Sequence, residues 1–134
     1  MAFEFQFNLD KNKIIEPKPE TLYDMIIIGG GPAGLNAALY AKRKGLEVAI
    51  LTRQIGGQIV NTSSVENYLG TKSSTGEELV NDFKSHVTSL EIPIAEYVDV
   101  EEIIPDTAPN QHSVKLTDGR VFTSRTLVLA TGTN

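Results

Sequence analysis

The feature that most constrains this chain is an apolar run, Met25-Ile26-Ile27-Ile28, that ends in Gly29-x-Gly31-x-x-Gly34. Helix-forming residues follow to Lys44, then Gly45, then a second apolar run from Val48 to Leu51. This order predicts strand, glycine turn, helix, strand, the unit that holds a dinucleotide pyrophosphate. Gly29 permits the tight turn, Gly31 lets backbone approach the phosphates, and Gly34 lets the helix pack close to the strand. The free N–H groups of that helix's first turn, at the positive end of its dipole, suit an anion. Pro32 and Ala33 stand inside the same turn.

With 134 residues, 40% of them hydrophobic, the chain reads as one domain around one ordinary core. A formal charge of −5 argues against nucleic acid or an anionic membrane as partner. No run is long enough for a transmembrane helix, and residues 1–24, with Glu4, Asp10, Glu16 and Glu20, do not read as a secretory signal. A cytoplasmic location is the resulting expectation. The chain contains no cysteine, which excludes a disulfide, a thiolate metal site or a dithiol centre within it.

Phe3, Phe5, Phe7 and Leu9 alternate as in a half-buried strand, although a loose leader fits equally well. Residues 10–22, with Pro17-Lys18-Pro19, read as an extended linker. The expected domains are therefore an extension over 1–22 and a nucleotide-binding domain over 23–134. Residues 53–75 lack periodicity and read as a long loop of the kind that carries function. Thr75-Gly76-Glu77-Glu78 reads as a capping box, opening a helix whose core stripe is Leu79, Phe83, Val87 and Leu90. Ile92-Pro93-Ile94 predicts a short third strand. Residues 95–104, 112–117 and 120–124 predict a three-stranded antiparallel piece joined through Pro105–Asn110 and the Asp118-Gly119 turn. Thr126–Ala130 then reads as a separate buried strand running into a turn at Gly132.

Four signals in order, Gly29-Gly30-Gly31-Pro32-Ala33-Gly34, Gly56-Gly57-Gln58, Val65-Glu66-Asn67-Tyr68 and Ala130-Thr131-Gly132, resemble the FAD half of the low-molecular-weight thioredoxin reductases. The flavoprotein subunit of alkyl hydroperoxide reductase is similar. The resemblance covers residues 22–134. It implies an α/β Rossmann-like parallel sheet with an antiparallel β-meander, apparently incomplete, and FAD extended along the sheet's carboxyl edge. It implies pyrophosphate on Gly31–Gly34, the flavin end near Gly57, Gln58 and Asn67, adenine on backbone near Val100, and Ala130–Gly132 closing over the cofactor. The residue chemistry is compatible. Gly56-Gly57 lets backbone approach a flat ring, and Gln58 and Asn67 each offer a donor and an acceptor.

One departure stands out. The acid expected about 20 positions beyond the glycines, to bond a ribose hydroxyl, is absent, and the second strand ends Ile50-Leu51-Thr52-Arg53. Arg53 read alone suggests a 2′-phosphate and hence NADP, the other motifs indicate FAD, and an ordinary surface charge is a third reading. His86 and His112 read as surface or core histidines, Glu101-Glu102 and Glu77-Glu78 as exposed pairs, and no cluster has metal-ligand spacing. No residue reads as catalytic acid, base or nucleophile, so redox chemistry would belong to the flavin.

In the resembling family an NADPH domain with a Cys-x-x-Cys pair follows the Ala-Thr-Gly turn. This chain is therefore expected to be an amino-terminal segment of such a reductase. Thioredoxin or a similar disulfide protein, and NADPH or ferredoxin, would be engaged through the remainder, and a homodimer or self-association is expected. A stand-alone FAD or NADP module, or part of a dithiol-free ferredoxin/NADP reductase, are the alternatives.

Overall fold

In the computed structural model, residues 14–55 and 76–131 are described, less the side chains of 76, 77, 79, 80 and 83. Six strands are found among them: β1 (Leu22–Ile28), β2 (Val48–Leu51), β3 (Ile94–Ala95), β4 (Val100–Ala108), β5 (Gln111–Leu116) and β6 (Val121–Leu129). Two helices accompany them, α1 (Pro32–Arg43) and α2 (Gly76–Ser89). The sheet order is β3-β2-β1-β6-β5-β4. Strands β3, β2, β1 and β6 run parallel, whereas β6-β5-β4 is an antiparallel meander. This is the expected α/β architecture.

The apolar strands are continuous rather than alternating because both sheet faces are covered. On one face Ile27, Val48, Ile50 and Ile94 pack with Leu35, Ala38 and Leu39 of α1 and Val87 of α2. The spacing of Leu35, Ala38 and Leu39 is the i, i+3, i+4 stripe of a helix buried on one side. On the other face Ile26, Ile28, Ala49, Leu51 and Ala95 pack with Val114, Leu116 and Phe122 of the meander. Neighbouring residues of a strand point to opposite faces, so Ile26, Ile27 and Ile28 serve two cores at once.

Helix α1 ends where Gly45, at φ 86, takes a left-handed conformation that disfavours other residues. Helix α2 buries Val87 and exposes His86, and Leu90, just past its end, is half-buried. Thr75, Leu79 and Phe83, expected in its cap and stripe, lie outside the described residues or side chains, as does the strand expected at Phe3–Leu9. The described part of the leading segment lies on the sheet. Ile94 N–H donates to the Ile15 carbonyl at 2.8 Å, Lys18 N–H donates to the Tyr23 hydroxyl at 2.9 Å, and Pro17 is buried.

Two sequence expectations are corrected in the meander. First, 120–124 and 126–130 are not separate strands but one continuous β6, antiparallel to β5 over Val121–Ser124 and parallel to β1 over Thr123–Leu129. Arg125 and Thr126 suggest a break in sequence, yet they are simply exposed residues of an unbroken strand. Nor is the end of β6 fully buried, because Leu127 and Val128 are half-buried and Leu129 is 64% exposed. Second, β4 runs through Pro105, and the turn is at Pro109-Asn110. Proline has no N–H to give a ladder, and an edge strand is where this is tolerated. The register of β4 shifts between Ile104 and Ala108, next to Pro105.

The Asp118-Gly119 hairpin is as expected. Gly119 has φ 97, and Asp118 accepts from Arg120 N–H at 3.0 Å and from its guanidinium at 2.8 Å. Those bonds from Arg120 hold the Asp118 carboxyl below its ordinary pKa.

Two stability outcomes follow from this packing. Phe122 is fully buried under the meander, and Phe122→Ala should cost about 3–5 kcal/mol by urea denaturation; a loss under ~1 kcal/mol would mean that the second core is loose. A Cβ on Gly34 would lie 2.4 Å from the Gly29 carbonyl oxygen. Alanine in an open helix stabilises by about 1 kcal/mol over glycine, but Gly34→Ala should destabilise, since overpacking of fixed backbone costs ~1–3 kcal/mol. A higher melting temperature for Gly34→Ala would contradict that contact.

Candidate functional site

The carboxyl ends of the parallel strands β2, β1 and β6 are stitched together by backbone. Gly29 N–H donates to the Leu51 carbonyl at 2.8 Å, and Ala130 N–H donates to the Ile28 carbonyl at 2.8 Å. On the outer side of β2, Thr52 N–H donates to the Ala95 carbonyl at 2.9 Å. The glycine turn, Thr52-Arg53 and Ala130-Thr131 therefore come to one edge of the sheet. That is where ligands bind in open α/β folds.

Each glycine of the turn answers to a different neighbour. Gly29 has φ 117, and a Cβ there would lie 2.1 Å from the Ala130 carbonyl oxygen, so this turn requires glycine twice over. A Cβ on Gly30 would lie 2.7 Å from Thr52 Oγ1. Gly34 touches the Gly29 carbonyl and so sets the closeness of α1 to β1. Gly31 is different. It caps α1 at φ −76 and ψ −178, a conformation open to any residue, and a Cβ there would meet nothing within 4 Å. Nothing among the described residues requires glycine at position 31.

The helix behind Gly31 is electrostatically ready for an anion. Its N-cap has no side-chain hydrogen bond, its first turn holds no acid, and its last turn holds Lys42 and Arg43. Pro32 sits at the first helical position, where its missing N–H costs nothing. Ala33 is exposed and Gly34 buried. Neither the N-cap nor the first turn of α1 therefore compensates the positive end of the dipole, the kind of helix start that suits an anion.

Thr52 is buried, and its hydroxyl closes a short turn, accepting from Gln54 N–H at 3.2 Å and donating to the Gln54 carbonyl at 3.1 Å. Arg53 is mostly exposed and its Nε donates to Asp99. Thr131 is exposed and Ala130 half-buried beside the glycine turn. Val100 opens β4, pairs with Leu116, and packs against the second core. The stretch just before it, Tyr97–Asp99, is what lies beside the end of β2. Tyr97 N–H donates to the Arg53 carbonyl at 3.0 Å, and Val98 N–H donates to the Thr52 carbonyl at 3.2 Å. Gly57, Gln58, Asn67 and Gly132 lie outside the described residues.

Sequence reasoning missed three residues at this edge. Tyr97 is 79% exposed at φ 62, an uncommon backbone for a residue with a side chain. Asp99 meets Arg53 from 46 positions away. Glu96, whose side chain is 11% exposed, accepts from Ile55 N–H at 3.2 Å and pairs with Lys84 of α2 at 3.5 Å. It ties the exits of β2 and β3 to that helix. No local spacing signals these contacts, because each joins segments distant in sequence. The nearest signal in the sequence is the cluster of polar residues between two strands.

His112 of β5 accepts from Asp106 N–H of β4 at 3.1 Å through Nδ1, a contact remote from the glycine turn in sequence. Among the described residues no group of three His, Cys, Asp or Glu could hold a metal ion. No described helix is long and apolar enough to cross a membrane.

Comparison with known proteins agrees with this geometry. The family model described as pyridine nucleotide-disulphide oxidoreductase matches residues 23–134. A thioredoxin reductase of Ureaplasma parvum is 44% identical over 115 residues, 85% of this chain and 36% of that protein. A subunit of the alkyl hydroperoxide reductase of Pseudomonas putida is 34% identical over 110 residues, 82% of this chain and 21% of that protein. The crystal structure of thioredoxin reductase from T. acidophilum superposes with a TM-score of 0.75 at 35% identity, covering 86% of this chain and 37% of that one. The chain thus spans between about a fifth and two fifths of the length of these relatives, and with a family match over residues 23–134 it belongs to the pyridine nucleotide-disulphide oxidoreductases.

Proposed function

We propose that this chain is the FAD-binding segment of a thioredoxin-reductase-like flavoprotein disulfide oxidoreductase. The observation that carries the reading is Gly31. Among the described residues nothing stands in the way of a side chain at that position, yet it is bare, at the start of α1 where the N-cap has no side-chain hydrogen bond and at the carboxyl edge of the sheet. A dinucleotide pyrophosphate needs that kind of bare approach. Family membership and the likeness to thioredoxin reductases favour FAD as the dinucleotide.

In this reading the pyrophosphate lies over Gly31–Gly34, with Pro32 and Ala33 forming the helix start beneath it. Thr52 and Arg53 face the adenosine ribose, and Tyr97–Val100 borders the adenine. Ala130, Thr131 and Gly132 flank the cofactor from β6, and Gly57, Gln58 and Asn67 serve the flavin end. The chemistry FAD supplies when bound is electron transfer between a donor and a disulfide. The residues of this chain contribute binding and orientation. Backbone N–H groups and the α1 dipole hold the anion, and the stitched strand ends fix its register. The chain has no cysteine, so the dithiol belongs elsewhere in the reductase. The same holds for the site of NADPH or ferredoxin and the docking of thioredoxin or a similar disulfide protein.

The domain in this proposal spans 23–134, with 1–22 as an extension, in a cytoplasmic setting. Self-association is part of it, supported by Leu129 standing 64% exposed at the end of β6; a strict monomer by sedimentation would remove that part.

The purified chain mixed with FAD should quench flavin fluorescence and retain yellow colour through gel filtration. Gly31→Val should weaken FAD binding about tenfold or more, ~1.4 kcal/mol, while costing only about 1 kcal/mol of stability as a poorer helix cap. Unchanged FAD affinity in a folded Gly31→Val protein would place the pyrophosphate elsewhere. Without cysteine, the isolated chain should show no NADPH-dependent reduction of thioredoxin, and measurable turnover free of contaminating reductase would refute the assignment of the dithiol to another segment.

A further inference from the structure

The end of β2 holds a charge arrangement that the glycine turn does not account for. Arg53 follows Thr52 out of the strand with its side chain 78% exposed, and its Nε donates to Oδ1 of Asp99, itself 49% exposed. The pairing is prepared by backbone. The hydrogen bonds of Tyr97 to Arg53 and of Val98 to Thr52 run the segment after β3 alongside the end of β2. Asp99 is the next residue, and its own carbonyl is held by Thr117 N–H at 2.9 Å. Both flanks of Asp99 are therefore anchored, one to β2 and one to the meander.

In a dinucleotide fold the end of the second strand faces the adenosine ribose. An acid there bonds the 2′-hydroxyl, whereas an arginine there receives a 2′-phosphate. This chain carries both groups at that place, bonded to each other. Resting on the nucleotide-binding reading above, we propose that Asp99 is a specificity-determining residue that turns the end of β2 from a 2′-phosphate site into a site for unphosphorylated ribose.

The physical argument concerns charge rather than the strength of the ion pair. An exposed pair of this kind contributes little to stability. Its effect on an incoming ligand is larger. A 2′-phosphate carries close to two negative charges, and a carboxylate on the same guanidinium repels it and occupies the Nε donor. A 2′-hydroxyl meets no such penalty and can donate to the second carboxylate oxygen of Asp99. Removing the carboxylate frees the whole planar fork of Arg53, whose geometry matches a phosphate. The acid missing from the strand end in sequence is supplied in space by the segment that follows β3.

The test uses the 134-residue chain and its Asp99→Asn and Asp99→Ala variants, titrated with 5′-AMP and with adenosine 2′,5′-bisphosphate, and separately with FAD. Folding is verified for each by circular dichroism. Relative to wild type, both variants should bind adenosine 2′,5′-bisphosphate about tenfold more tightly, while 5′-AMP and FAD, which lose the carboxylate that accepts from the 2′-hydroxyl, should bind no more tightly than to wild type. Adding Arg53→Gln to Asp99→Asn should abolish the gain. An unchanged ratio of the two adenosine nucleotides in a folded variant, with FAD still bound by wild type, overturns the proposal alone. A gain that survives Arg53→Gln overturns it as well, because the phosphate would then sit elsewhere. A wild-type chain that binds neither FAD nor either adenosine nucleotide overturns the nucleotide reading, and the proposal falls with it.

Discussion

Three backbones meet at the β1–α1 turn with no room for a side chain between them. The Gly29 α-carbon lies against the Ala130 carbonyl, and Gly34 lies against the Gly29 carbonyl. These two approaches set how close α1 comes to β1 and how close the end of β6 comes to both. A methyl group at either position would have to move backbone rather than a flexible side chain, and interiors packed at crystal density yield little. The site's geometry is thus a consequence of the fold's tightest crossing, and the glycines that make the crossing possible are separable from Gly31, which the crossing does not need.

Charge at the carboxyl edge is organised by distance along the chain. Near the glycine turn the first turn of α1 holds no acid and its N-cap has no side-chain hydrogen bond. Farther along the edge the charges are matched internally. Arg53 meets Asp99, and Glu96 meets Lys84 while accepting from Ile55 N–H. The Glu96 side chain is 11% exposed, and a buried polar group needs hydrogen-bond partners. Its two bonds tie the exits of β2 and β3 to α2. Among the described residues, the matched charges at this edge lie where segments distant in sequence are joined.

The parallel half of the sheet was readable in sequence because its signals are local. Met25–Ile28, the glycine spacing, the Leu35-Ala38-Leu39 stripe and Val48–Leu51 each lie within one element, and each sets its own period. The Asp118-Gly119 hairpin was readable for the same reason. Misreadings arose where tertiary context decides. Pro105 suggested a turn, but β4 is an edge strand and an edge tolerates a residue without an N–H. Arg125-Thr126 suggested a break, but β6 has a solvent side there. At the site, Gly29, Gly31, Gly34, Thr52 and Ala130 come together as the motif order implied. Asp99, Tyr97 and Glu96 were not legible, since their roles exist only once β3 has been laid beside β2.

The continuity of β6 has a mechanical consequence for the site. Its first half is a strand of the meander and buries Phe122 in the second core; its second half is the inner neighbour of β1 and delivers Ala130 to the glycine turn. Two separate strands would let the meander fray without disturbing the ligand edge. One strand cannot, because the register that places Leu129 opposite Ile28 is the same register that places Thr123 opposite Leu22. A one-residue slip would turn every side chain of β6 to the other face, exposing Phe122 and withdrawing Ser124 from burial. The packing of the meander therefore fixes the position of Ala130 relative to Gly29. The side of the fold farthest from α1 in the sheet order takes part in shaping the site that α1 opens.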